Sequence, residues 1–213
     1  METIISRRQL LWTGLAAAAI LSPFGRLAIA GETPKRKYIQ IGNLQFEEVD
    51  PSETPTPSEY VDPSNTGTPL IKVPKNLLNE NITKNFKLGE FARVSDPRNL
   101  RGTGIETHSF NGGLYHKFMR LDPELPDEVQ TLRDALGHPI TVNSCFRPLT
   151  YNRRVGSQDT SMHPPGKATD IASKGFQAAL YRLADKQFAN GGVGKYTTFT
   201  HVDTRGSRAR WNG

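Results

Sequence analysis

Cysteine is almost missing from this chain: Cys145 is the only one in 213 residues. That excludes an internal disulfide. Within TVNSCFRP, a strand-like stretch, Cys145 reads as a small buried apolar residue rather than a nucleophile. Histidine is scarce as well, at five residues. The apolar run Leu10 to Leu21 falls short of the ~20 residues of a comfortable membrane span. A strong charge of either sign is also lacking. The formal net charge is +6, and residues 31–213 carry 24 basic against 20 acidic side chains, or +4. With no basic cluster interleaved with aromatics, this balance does not argue for nucleic acid. No internal repeat is visible. What remains is globular, 36% hydrophobic and 23% charged, at a length that suits one domain plus extras.

The N-terminal extra has the marks of an export signal. Arg7 and Arg8 precede the apolar run, and Ala28-Ile29-Ala30 has the A-x-A form of a cleavage site. The string SRRQLL, Ser6 to Leu11, resembles a twin-arginine signal, which addresses bacterial export. An ordinary secretory signal with two arginines is the alternative. The expectation is a signal over 1–30, cut after Ala30. The mature chain then has no membrane span and resides in the periplasm or cell envelope of a bacterium. Residues 31–84 follow as a Pro-rich arm or linker. From Asp50 through Pro74 there are six prolines, with Asp, Ser, Thr and Asn between them, a composition poor in core-forming residues. YIQIGNLQFEEV offers one possible strand there.

The compact domain is expected over 85–213. Leu125, Val129, Leu132 and Leu136 recur at helical spacing, and Gly137 is a fitting stop. HPITVNSCF reads as a strand with Ile140, Val142 and Ser144 on one side. LTYNRRVG reads as a short helical turn and GKATDIA as a second strand. Phe176, Leu180, Leu183 and Phe188 mark the inward face of a second helix. Gly191, Gly192 and Gly194 suggest a loop before the strand region KYTTFTHVDT. Helices and strands are interspersed without regular βαβ alternation, which favours α+β.

The chemistry concentrates in SMHPPGKATDIA and YTTFTHVDTRG. A catalytic zinc site commonly takes three ligands from His, Asp or Glu plus water. His163, Asp170 and His201 could supply them, and a carboxylate on the apolar strand Thr169-Asp170-Ile171 needs a partner. By spacing alone the three could equally be scattered loop residues. His108 and His116 have no second ligand at a recognisable spacing and read as surface or packing residues, and His138 as a structural residue behind the helix stop.

Four blocks carry a family resemblance: NFKLGEFA, ITVNSCFRPLTYNRRVG, SMHPPGKATDI and GGVGKYTTFTHVDTRGSRARW. In this order, over about Phe86 to Trp211, the chain resembles the zinc D-Ala-D-Ala carboxypeptidases, in the superfamily of lysostaphin-type enzymes and the hedgehog domain. The resemblance implies a small central antiparallel sheet with flanking helices and one Zn2+ in a cleft on the sheet. It implies His163, Asp170 and His201 as ligands, Arg147 at the scissile carbonyl and Ser161 in contact with substrate. Tyr151 and Asn152 are candidates for lining the cleft, and Trp211 reads as a packing anchor. Many relatives place an acid three residues before the last His ligand; here that residue is Thr198. Asp203 shares a strand face with His201 and becomes the candidate base, with a structural link to Arg205 as its alternative. The implied protein is an exported monomeric zinc peptidase acting on peptidoglycan peptides. A non-catalytic, metal-containing envelope-binding module is the rival.

Overall fold

The computed structural model describes residues 36–213, so the expected export signal lies outside the described residues. In chain order the strands are β1 (Lys37–Ile41), β2 (Leu44–Glu48), β3 (Leu70–Lys72), β4 (Thr107–Phe110), β5 (Gly113–His116), β6 (Phe118–Arg120), β7 (Thr141–Ser144), β8 (Ala168–Ala172), β9 (Gly192–Lys195), β10 (Thr200–Asp203) and β11 (Ala209–Asn212). The helices are α1 (Leu88–Ala92), α2 (Leu125–Leu136), α3 (Leu149–Arg154) and α4 (Gln177–Gln187). The class is α+β, as expected.

A five-stranded sheet, ordered β11-β9-β10-β8-β7, holds the chemistry. Its pairs are antiparallel except β11, which runs parallel to β9. Helix α2 forms on its apolar stripe, with Leu125, Val129 and Leu132 fully buried, and ends at Gly137 in the left-handed region at φ 69°. It packs against α4, which lies on β9 and β10.

Three expectations need correction. The segment 31–84 is not an arm where it is described. β1, β2 and β3 join β6 in a four-stranded sheet, and Ile41, Phe46, Tyr60, Ile71 and Ile82 sit in the same apolar core as Met119, Phe146 and Val202. Each such side chain adds about 1.5–3 kcal/mol by leaving water, which offsets the conformational entropy lost in ordering the segment. Pro51 and Pro57 open short 3-10 turns, where a missing N–H costs nothing. The glycine loop is the second correction, because Gly192–Lys195 is strand β9. The third is Phe176, which stays 38% exposed and stacks on His138, ring centroids 3.4 Å apart, instead of facing inward.

Candidate metal centre

Strand pairing brings two of the three expected ligands together. His201 on β10 is the direct partner of Asp170 on β8. His163 arrives from the turn before β8, whose geometry is fixed by the Gly166 amide donating to the His163 carbonyl at 3.0 Å. The Ser161 hydroxyl accepts from the His163 amide at 3.3 Å. All three side chains are buried, and one ligand atom from each lies within 4.8 Å of the others. The Asp170 Oδ1 is 3.3 Å from His163 Nε2 and 2.9 Å from His201 Nδ1.

The outward ring nitrogens are both occupied. His163 Nδ1 donates to the Cys145 carbonyl at 2.5 Å, and His201 Nε2 donates to Asp203 Oδ2 at 3.1 Å. In the neutral rings those bonds favour the tautomers that turn the lone pairs of His163 Nε2 and His201 Nδ1 towards Asp170, where a metal would take them. Two oriented imidazole nitrogens and a carboxylate oxygen form a donor set that fits zinc.

The electrostatics follow from burial and pairing. Burial alone would raise the Asp170 carboxyl, but His163, His201 and Arg147 outweigh it and hold it well below the usual carboxylate range. Burial likewise opposes ionisation of Asp203, yet hydrogen bonds from His201 and Arg205 keep its carboxyl depressed. His163 is pushed down, chiefly by burial. For His201 burial acts downward too, but the carboxylates of Asp170 and Asp203 win and raise it. The Cys145 thiol is driven up to about 12 by burial, as suits an inert packing residue.

A cleft of about 800 Å³ opens over the three residues. Arg147, Ser161 and Tyr151 line it. Arg147 Nε donates to Ser144 Oγ at 2.9 Å and its Nη2 to Asp170 Oδ2. The expected carbonyl-binding arginine is thus also an ion-pair partner. The Tyr151 hydroxyl bonds Ser95 Oγ at 2.7 Å and accepts from the Asp96 amide at 2.9 Å.

Two of the expected site residues lie outside the cleft lining. Asn152 is 1% exposed, lies outside the cleft lining and donates to the Gln158 carbonyl at 3.1 Å. It braces the chain after α3. Asp203 is fully buried and does not line the cleft. Its oxygens accept from His201, from the Gly192 amide at 3.0 Å and from Arg205 at 2.8 and 2.6 Å. The shared strand face does bring Asp203 to His201, but to the nitrogen on the far side of the ring from Asp170. Asp203 thus sits as its alternative reading expected, linked to Arg205 and behind the His201 ring, with no place in the cleft lining. Thr198 is exposed in the turn between β9 and β10 and is not part of the lining either.

Sequence reasoning missed one wall of the cleft. Tyr196 stacks on Phe199 at 4.2 Å, and its hydroxyl accepts from Trp211 Nε1 at 3.1 Å. Trp211, read first as a packing anchor, lies 5.1 Å from the His201 ring and lines the cleft. The signal was in the glycines: a Cβ at residue 192 would meet Asp203 Oδ2 at 2.1 Å, and one at 194 would meet Trp211 Nε1 at 2.5 Å. β9 is bare so that these two side chains can lie across it.

A family model described as Peptidase M15 matches residues 86–203, the segment that contains all three candidate ligands. No curated protein matches the chain significantly.

Proposed function

Because the chain belongs to the Peptidase M15 family, as a zinc D-Ala-D-Ala carboxypeptidase-like domain, we propose that it is an exported hydrolase of peptidoglycan. It cuts stem-peptide or cross-link amides in the periplasm or cell envelope and works as a monomer. The observation that carries this reading is the buried His163, Asp170 and His201 group at the floor of an open cleft. A zinc ion on these residues supplies Lewis acidity towards a carbonyl and a water whose pKa drops to about 7.

The chain's own residues do the rest. Asp203 and the Cys145 carbonyl hold the two imidazoles in register. Arg147 is pinned by Ser144 and Asp170, while its Nη1 has no partner among the described residues. That donor suits a developing oxyanion, and losing one such donor typically costs about 10²-fold or more in rate. Ser161 lines the cleft, where its hydroxyl can meet the peptide.

One observation favours the rival reading. No carboxylate occupies position 198, and the lining carboxylates are Asp170 and Asp96, the latter engaged by Arg98 at 2.9 and 2.8 Å. A domain lacking a free acid suits a metal-containing binding module.

Digestion of peptidoglycan and of a synthetic pentapeptide ending in D-Ala-D-Ala separates the two, with products identified by mass beside a His163→Ala control. Released D-Ala or a split cross-link, lost in the control, supports the peptidase and names the bond. A folded, zinc-loaded protein that yields no product from either substrate makes the binding module the better reading.

A further inference from the structure

Arg205 has no part in the mechanism above, yet it lines the cleft. Nε and Nη2 donate to the two oxygens of Asp203 at 2.8 and 2.6 Å. The guanidinium also lies over the Trp211 ring, 5.3 Å from its centroid. Pairing on one edge and stacking on one face leave the group little freedom to lose when it binds a ligand. Its side chain is 25% exposed, and Nη1, with two N–H donors, has no partner among the described residues.

The cleft therefore contains two fixed guanidinium groups with donors to spare. Arg147 is tied to Asp170, and Arg205 is tied through Asp203 to His201. One scissile carbonyl needs one of them. The other calls for a second acceptor close to the same centre. Charge narrows its chemistry. Asp203 and Asp96 are each matched by an arginine. With a divalent ion held by the two histidines and Asp170, Arg147 adds to a net positive cleft. A planar guanidinium with spare N–H groups in a positive site is best matched by a carboxylate.

We propose that Arg205 is a specificity residue that anchors a free substrate carboxylate next to the scissile amide. The inference rests on the peptidase reading of the site. Two sources share this chemistry: the C-terminal carboxylate of a stem peptide, and the side-chain carboxylate of a diamino acid at a cross-link.

The test uses the zinc-loaded full chain and two matched pairs of substrates. One is a pentapeptide ending in D-Ala-D-Ala as the free acid or the C-terminal carboxamide. The other is a cross-linked stem-peptide dimer with the diamino-acid carboxylate free or amidated. Analogues with the scissile amide reduced to a methylene-amine give affinities by calorimetry without turnover. The expected result is a preference for the acid on the order of 10- to 100-fold in one pair, in KM and in analogue affinity. Arg205→Gln is expected to abolish that preference, with Arg205→Lys keeping part of it. The pair that shows the preference identifies the source. Equal cleavage of acid and amide in both pairs overturns the anchor while leaving the peptidase intact. If nothing is cleaved, the peptidase reading falls and the analogues decide. Tighter binding of an acid analogue keeps the anchor, and equal or absent binding removes it. Should Arg205→Gln fail to fold, the comparison on the unaltered chain still decides.

Discussion

At the residue scale, Asp203 separates positioning from proton transfer. Its carboxylate reaches His201 Nε2 at 3.1 Å from a site with no exposed surface. Replacing a carboxylate behind a ligand histidine typically costs 10–100-fold in metal affinity. Asp203→Asn is therefore expected to weaken zinc by about that factor, measured by competition with a chromogenic chelator. Unchanged affinity with a collapsed kcat would restore the base assignment. The three candidate ligands were legible through the family resemblance that S-x-H-x6-D and H-V-D help to carry, not through their spacing alone. For Asp203 the sequence left a base and a structural link to Arg205 side by side, because a shared strand face tells which residues meet but not which ring nitrogen they meet. His116 gives a second test at this scale. Burial drives its imidazole down to about 4 from the ordinary 6.5, and its Nδ1 has no partner among the described residues. A folded-state pKa below the unfolded one means that the stabilising contribution is full above pH 6.5. It drains away as pH falls towards 4, by roughly 3 kcal/mol in all. Urea midpoints for wild type and His116→Gln are expected to diverge over that window, with wild type losing more. Parallel loss would show that His116 is not held neutral.

At the scale of elements, β9 shows how a short sequence can mislead. Its glycines look like a loop when read by propensity, since glycine weakens strands. They are required because the Asp203 carboxylate and the Trp211 indole cross the strand where a Cβ would stand. The need arises from β10 and β11, which no local reading of residues 191–194 contains. Gly192→Ala is accordingly expected to act as a metal-site mutation, although residue 192 offers no side-chain ligand. Its methyl would displace the Asp203 Oδ2 that orients His201, so zinc affinity should fall by at least about tenfold with the fold retained. The chelator competition reads this directly, and native affinity in the variant would mean that β9 yields without disturbing Asp203. Helices α2 and α3, by contrast, were readable, because apolar spacing and the Gly137 stop are properties of the segment itself.

At the scale of the whole molecule, the question is what counts as the peptidase domain. The family match begins at residue 86, and the composition of residues 31–84 suggested an arm or linker. Proline count misled there because the apolar residues, although few, are placed to meet others far along the chain. Arg120 on β6 is buried and donates to the carbonyls of Tyr60, at 2.8 Å, and Thr68. Glu59 accepts from the Thr150 amide at 2.8 Å and from its hydroxyl, holding the first turn of α3 beside the cleft residue Tyr151. Tyr60 stacks on Phe146, next to Arg147, at 6.1 Å. Residues 37–84 thus support the cleft from behind. A chain reduced to 85–213 would leave β6 without β3 and expose Phe146 and Met119, each worth about 1.5–3 kcal/mol of burial. Together these two come to about 3–6 kcal/mol, a large share of a typical total of about 5–15 kcal/mol. The shortened chain is expected to show no sharp thermal transition and no stoichiometric zinc, whereas removal of residues 1–30 alone leaves both. A cooperative, zinc-binding 85–213 fragment would show instead that the first sheet is an accessory to a core that stands without it.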